Sequence, residues 1–298
     1  MKQLKIWLEC FRLRTLPVSM SGVIIAIGLA KWYHHFQWVP AMLCLLFALL
    51  AQIASNTANE YFDYLKGTDK PGRVGPRRGV TEGDIKPTTL RNVTFGLLAL
   101  AGVVGCCLIP YGGWWLLPVG IIIVLAALAY STGPYPLSYH GLGELMVFIF
   151  FGLVPVNLTY YVMSLRYDPL VILFSITIGL LGVNVLLVNN YRDVEDDRAA
   201  GKRTSVVIFG RKPAALAYLI NGYAGMAVLT ALWVMILWGR VMPLWTLAIP
   251  VLYLVLHTAT WYLLTHRDGK ALNPLLGGPA RNMLLFTILL TIAFIIYA

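Results

Sequence analysis

The chain has 298 residues, of which 59% are hydrophobic and 12% charged, with a formal net charge of +10. Soluble domains run at about 45–50% apolar and about 25% charged, so the composition excludes a soluble enzyme and a disordered chain. So little charged surface also argues against a nucleic-acid partner for the positive charge, and the class that remains is a multispanning membrane protein.

Residues 1–15, MKQLKIWLECFRLRT, are basic and amphipathic and no processing site follows a short apolar core, so they read as an interfacial helix leading into the first span. A span takes about 20 mostly apolar residues. Nine runs qualify, at roughly 16–36, 38–59, 91–110, 113–131, 142–163, 169–190, 214–237, 243–263 and 282–298. They lack the alternating polarity of barrel strands. Polar loops are expected at about 61–90, 191–213 and 264–281. The expected fold is all-α, a polytopic membrane protein with nine transmembrane helices, organised as one domain over 1–298. Cys10, Cys44, Cys106 and Cys107 form no CxxC pair and are expected to be small buried hydrophobes.

Nine spans put the termini on opposite sides. With the N-terminus cytoplasmic, 20 basic residues face the cytoplasm and only Lys31, Arg166 and Arg240 face away. That asymmetry is the positive-inside pattern.

The acidic residues gather where spans 2 and 6 end. The first cluster, NTANEYFDYLKGTD, holds Asn56, Asn59, Asp63 and Asp69; the second, NNYRDVEDD, holds Asn189, Asn190, Asp193 and Asp197. Asn59 and Asp63 are four residues apart, as are Asn189, Asp193 and Asp197 in turn, so each set lines one helix face if the helix continues that far. Surface charge or salt bridges to nearby arginines would explain one such cluster. Two of matching form point to facing carboxylate sets that hold a hard divalent cation, for which Mg²⁺ with waters and substrate phosphates is the natural occupant. Lys66, Arg73, Arg77, Arg198 and Lys202 lie close by, with the chemistry to take the remaining oxygens of a diphosphate. Contact with anionic membrane lipid is their other reading. The glycines of the first loop do not form a nucleotide-binding phosphate loop, since GxxxxGK[ST] is absent.

With these motifs the whole chain resembles the UbiA-type membrane prenyltransferases, which have nine transmembrane helices and aspartate-rich motifs after helices 2 and 6. The stretches NEYFDYLKGTDKPGRVGPRRG (59–79), YSTGPYPLSYHGLGELMVFIFFGLVPV (130–156) and NNYRDVEDDRAAGKRTSVVIFGR (189–211) look most like the branch that uses 1,4-dihydroxy-2-naphthoate in menaquinone synthesis. The 4-hydroxybenzoate branch more often spaces its aspartates closer. One departure stands out: the broad pattern is N-x-x-x-D-x-x-x-D, whereas here the second aspartate comes only at Asp69.

The resemblance implies transfer of a polyprenyl chain from polyprenyl diphosphate to the naphthoate, with loss of CO₂ and diphosphate, in a bacterial inner membrane. It assigns Mg²⁺ to Asn59, Asp63, Asp69, Asn189, Asp193 and Asp197, and diphosphate oxygens to Lys66, Arg73, Arg77, Arg198 and Lys202. Asp63, Asp193 and Lys66 would be the catalytic centre. Asn56, Tyr130, Tyr135, Tyr139 and Glu144 are candidates for the acceptor pocket, although interfacial anchoring also explains single tyrosines. Gly141 and Gly143 are candidates for close helix approach. No obligate protein partner is expected. A 4-hydroxybenzoate acceptor is the rival within the family. A cation-coupled transporter is the rival outside it, but its charges belong near the membrane midplane, and here they lie at helix ends.

Overall fold

The computed structural model describes residues 2–69, 75–238 and 242–298, and among them there is no strand. In chain order the helices are α1 (Lys2–Cys10), α2 (Leu16–Trp32), α3 (Trp38–Leu65), α4 (Pro87–Cys106), α5 (Leu116–Ser131), α6 (Gly143–Ser164), α7 (Pro169–Ala199), α8 (Arg211–Trp238), α9 (Ala248–Thr265) and α10 (Gly278–Ile296). Among the described residues, eight segments are long and apolar enough to cross a membrane, and α5, at 16 residues, is shorter. All nine predicted runs therefore fall on helices. The ends differ where it matters. α3 and α7 run on past their apolar stretches to Leu65 and Ala199, because nothing breaks either helix until a glycine arrives at 67 and at 201.

α7 is the centre of the bundle. Its apolar window is 72% buried, against 56% or less in every other span. Asp168 caps its start by accepting from the Leu170 N–H at 2.7 Å, and Pro169 takes the first helical position, where no amide donor is needed. α6, α8, α2 and α10 pack around it. Phe174 and Ile178 of α7 meet Ile25 and Leu29 of α2, Leu229 of α8, and Phe286 and Leu290 of α10 in one continuous core. Gly152 on α6 and Gly179 on α7 bring the two backbones into direct contact. A Cβ on Gly152 would lie 2.3 Å from the Gly179 Cα, so no larger residue fits. α6 carries a π-helical stretch, Phe148–Leu153, at this crossing. The small-residue contact expected at Gly141 and Gly143 is lesser: Gly143 faces Leu186, while Gly141 sits in a turn with φ of +73°.

Cys10 and Cys44 are buried as expected, but Cys106 and Cys107 end α4 on an exposed face. A thiol is as compatible with hydrocarbon as with a protein core, so an apolar sequence context cannot separate the two. α1 is joined to α2 through Arg12, whose φ of +52° is left-handed. Its Ile6 and Cys10 pack with Val80, Ile85 and Leu90, and the Val80 N–H donates to the buried Glu60 carboxylate at 3.2 Å. The segment after residue 75 is thereby tied to both α1 and α3.

Candidate active site

The two acidic clusters sit on helix ends of one design. At the end of α3, the Thr68 N–H donates to the Asp63 carbonyl at 3.1 Å and the Gly67 N–H to the Tyr64 carbonyl at 3.0 Å, with Gly67 at φ +66°. At the end of α7, the Lys202 N–H donates to the Asp197 carbonyl at 2.9 Å and the Gly201 N–H to the Arg198 carbonyl at 3.1 Å, with Gly201 at φ +73°. Both are Schellman motifs closed by a left-handed glycine. Asp63 and Asp197 hold the same place in them, and the turn throws a lysine to one side of each.

Asp63 is 2% exposed and is held from three elements. Asn59 Nδ2 donates to its Oδ2 at 3.2 Å, one turn back on the same helix. The Tyr139 hydroxyl donates to its Oδ1 at 2.8 Å. Lys202 Nζ pairs with Oδ2 at 2.9 Å, across 139 residues of sequence. Burial first, and then the charge of Asp63, raises the Tyr139 phenol above its ordinary range and keeps it the donor. The ammonium groups of Lys66 and Lys202 lie 4.5 and 4.9 Å from the Tyr139 ring centroid, within cation–π range. Lys66 Nζ also donates to the Ser131 carbonyl at 2.8 Å.

Asp193 is held from its own helix. Arg192 donates from Nε and Nη2 to the two Asp193 oxygens, both at 2.5 Å, and from Nη1 to Asn273 at 3.3 Å. Asn59 Oδ1 accepts from Arg12 Nη2 at 2.5 Å. Arg12 and Arg192 had escaped the reading of the sequence. Arg192 was legible in principle, since it lies inside the second motif; Arg12 sits in the amphipathic leader, and only its strained backbone and its reach to Asn59 mark it out.

Asn59, Asp63, Asn189, Asp193 and Asp197 line one chamber of about 590 Å³ together with Arg12, Arg77, Arg192 and Lys202. That volume is typical of a small-molecule site. Tyr130 and Glu144 are on the same wall. A second cavity of about 270 Å³ runs beside it between the spans, walled by apolar residues such as Phe47, Ile123, Phe150 and Leu158. The two meet at Arg12, Thr15, Asn59, Tyr130, Leu186 and Asn189, which line both.

Other expected residues lie elsewhere. Asn56 lines only the apolar cavity and donates to the Phe11 carbonyl at 3.0 Å. Asp69 is off the wall, accepting from the buried Arg78 at 3.1 Å. Arg198 points outward and pairs with exposed Glu195. Arg77, on the wall, pairs with Asp84. Tyr135 is exposed and stacks on His140. Arg73 falls within 70–74, outside the described residues. Glu144 accepts from Asn190 Nδ2 at 2.9 Å and from the Ser205 hydroxyl.

Among the described residues no three His, Cys, Asp or Glu side chains form a ready-made metal cage. The chamber wall instead offers asparagine and aspartate oxygens from two helices beside several fixed cations. Such a set suits a hard cation that completes its shell with waters and a phosphate, as Mg²⁺ does.

The model of the UbiA prenyltransferase family matches residues 19–289. The chain is 35% identical over 294 residues to the 1,4-dihydroxy-2-naphthoate octaprenyltransferase of Escherichia coli (strain K12), covering 95% of this chain and 92% of that protein. It is 38% identical over 204 residues to the Mycobacterium tuberculosis protein of the same name, covering 68% and 70%. The apo structure of a UbiA homolog from Aeropyrum pernix K1 superposes with a TM-score of 0.70 at 16% identity, over 94% of this chain and 97% of that one. A UbiA homolog from Archaeoglobus fulgidus bound to GPP and Mg²⁺ superposes at 0.66 and 16% identity, over 97% and 99%. At such identities the likeness is one of fold.

Proposed function

This chain belongs to the UbiA prenyltransferase family, and on that premise we infer that it transfers a polyprenyl chain from polyprenyl diphosphate to 1,4-dihydroxy-2-naphthoate, releasing CO₂ and diphosphate, in menaquinone biosynthesis. The observation that carries the reading is the meeting of the two cavities. A polar chamber with both Asn/Asp sets opens onto an apolar cavity between the spans. A donor with a charged head and an isoprenoid tail has both halves accommodated, with its reactive carbon near Tyr130 and Asn59, where they join.

Asn59, Asp63, Asn189, Asp193 and Asp197 are the residues that would hold Mg²⁺, and the bound cation supplies charge stabilisation to the departing diphosphate. Lys202 and Arg77, on the chamber wall, would bind the remaining diphosphate oxygens, with Lys66, off that wall but at the same Tyr139 ring as Lys202, as a further cation for them. Lys202 is delivered to that position by the Gly201 turn and Lys66 by the end of α3. The Tyr139 ring, flanked by both lysines, fixes their approach. Lys5, Leu8 and Glu9 of α1 and Pro76 to Arg78 of the segment tied to Glu60 line the chamber, and these are the elements that would shield an allylic cation from water. Because the expected topology assigns 20 of the 23 basic residues to the side of the two acidic motifs, we place the chamber end and the N-terminus in the cytoplasm of a bacterial inner membrane, and the C-terminus opposite.

The test is a detergent-purified assay with polyprenyl diphosphate and either 1,4-dihydroxy-2-naphthoate or 4-hydroxybenzoate, with and without Mg²⁺. The expected outcome is Mg²⁺-dependent product and stoichiometric CO₂ from the naphthoate alone. Turnover of 4-hydroxybenzoate in its place would reassign the acceptor, and full activity after chelation would remove the metal.

A further inference from the structure

We propose that Glu144 is the catalytic base of the reaction, taking the proton of the acceptor hydroxyl next to the carboxylate-bearing ring carbon and later returning it. The inference rests on the naphthoate reading above and adds the proton path to it.

Glu144 differs from Asp63 and Asp193, which share its chamber. Asp63 is paired with Lys202 and Asp193 with Arg192. Either would have to give up its cation to take a proton. Glu144 has no cation partner among the described residues. Its hydrogen bonds come from two neutral donors, Asn190 and Ser205, and both fall on Oε1. Oε2 is left to accept. The anchors come from different elements: Asn190 stands on α7 next to Asn189, and Ser205 opens the helical turn after the Lys202 loop. Two donors on one oxygen fix the carboxylate's orientation, as a third group does for the base in other acid–base sites.

Its position also fits. Glu144 lies in the first turn of α6 and on the chamber wall. The Tyr130 hydroxyl, at the junction of the two cavities, lies 3.5 Å from where a Cβ would stand on the adjacent Gly143. Glu144 is therefore close to where the donor's reactive carbon must meet an acceptor ring.

The step balances without another reactant. The donor C1–O bond breaks and its electron pair leaves with diphosphate. The ring carbon bearing the carboxylate bonds to C1 while the neighbouring O–H gives its proton to Glu144, its electrons forming a ring ketone. That ketone is β to the carboxylate, so CO₂ leaves and its bonding pair restores the aromatic ring. The resulting oxyanion takes the proton back from Glu144, which ends the cycle unchanged.

The experiment compares wild type, Glu144→Gln and Glu144→Ala with the same donor and naphthoate. Gln keeps an oxygen for Asn190 and Ser205 but cannot take the proton. Binding of inorganic diphosphate with Mg²⁺, measured by calorimetry, should equal wild type in both variants, which shows an intact chamber. The kcat of Glu144→Gln should fall by about 10²-fold or more, the usual contribution of a general base. Added formate should restore turnover to Glu144→Ala and leave Glu144→Gln unchanged, which a merely structural role would not produce. A Gln variant within threefold of wild type, or an Ala variant that formate does not rescue, overturns the base role. If wild type itself makes no naphthoate product, the function reading fails instead.

Discussion

The ends of α3 and α7 look like copies of one another. Both carry asparagine and aspartate four residues apart, and both stop in a Schellman turn at a left-handed glycine. Their aspartates are held in different ways. Asp63 is gripped across the fold by Tyr139 and Lys202, from two other segments. Asp193 is gripped by its neighbour Arg192. The lysines differ too: Lys66 precedes its glycine and Lys202 follows it. The α3 end thus holds its aspartate through other segments, while the α7 end pairs Asp193 locally with Arg192 and reaches outward through Arg192 to Asn273, Asn190 to Glu144 and Lys202 to Asp63.

The largest expected effect tests that asymmetry directly. Asp63→Asn should lower kcat by about 10³-fold and Asp193→Asn by about 10²-fold, in the range seen when a group that stabilises developing charge is removed. Equal losses, or the reverse order, would show that both ends contribute alike. Next comes stability. Arg192 and Asp193 side chains are 3% and 12% exposed, and breaking such a pair from one side costs about 3–5 kcal/mol. Arg192→Met should therefore lower the thermal midpoint sharply in detergent, and Arg192→Met with Asp193→Asn should recover most of it.

The two glycines sharpen the contrast further. An alanine at a left-handed position costs roughly 1 kcal/mol, so Gly67→Ala and Gly201→Ala should be similarly destabilised. Only Gly201→Ala should also weaken diphosphate binding by titration, because Lys202 lies beyond its turn. The smallest effect is in pH. Desolvation, with a smaller push from Lys202 and against the opposing pull of Asp63, holds the Lys66 ammonium below the usual lysine value. Its charge is therefore lost earlier, as pH rises, than that of an ordinary lysine. Diphosphate affinity should begin to fall at lower alkaline pH in wild type than in Lys66→Arg, whose guanidinium stays charged.

Much of this was legible in the chain. Each apolar run became a helix because a backbone in lipid must satisfy its own hydrogen bonds. The spacing of Asn59 and Asp63, and of Asn189, Asp193 and Asp197, put each set on one face because both helices do continue past their apolar stretches. Asp69 was harder. It follows the glycine that ends α3, so helical spacing says nothing of its direction, and it turned to Arg78. Arg198, three residues from Glu195 on an exposed helix face, found a local partner instead of the chamber. Tyr130, Tyr135 and Tyr139 belong to one short stretch and ended on a cavity junction, an exposed stack and the Asp63 carboxylate respectively.

The sequence alone determined the class of the molecule, the number and order of its helical runs, the placement of scarce charge, and the two motifs with their helical faces. These follow from composition and periodicity, which are local. Tertiary structure alone decided that the two faces share a chamber, that Lys202 crosses to Asp63, that Arg12 reaches Asn59, and that Glu144 is left with neutral partners. Those facts depend on how α3, α6 and α7 cross, and the crossing is set by packing such as Gly152 on Gly179, which no residue announces by itself.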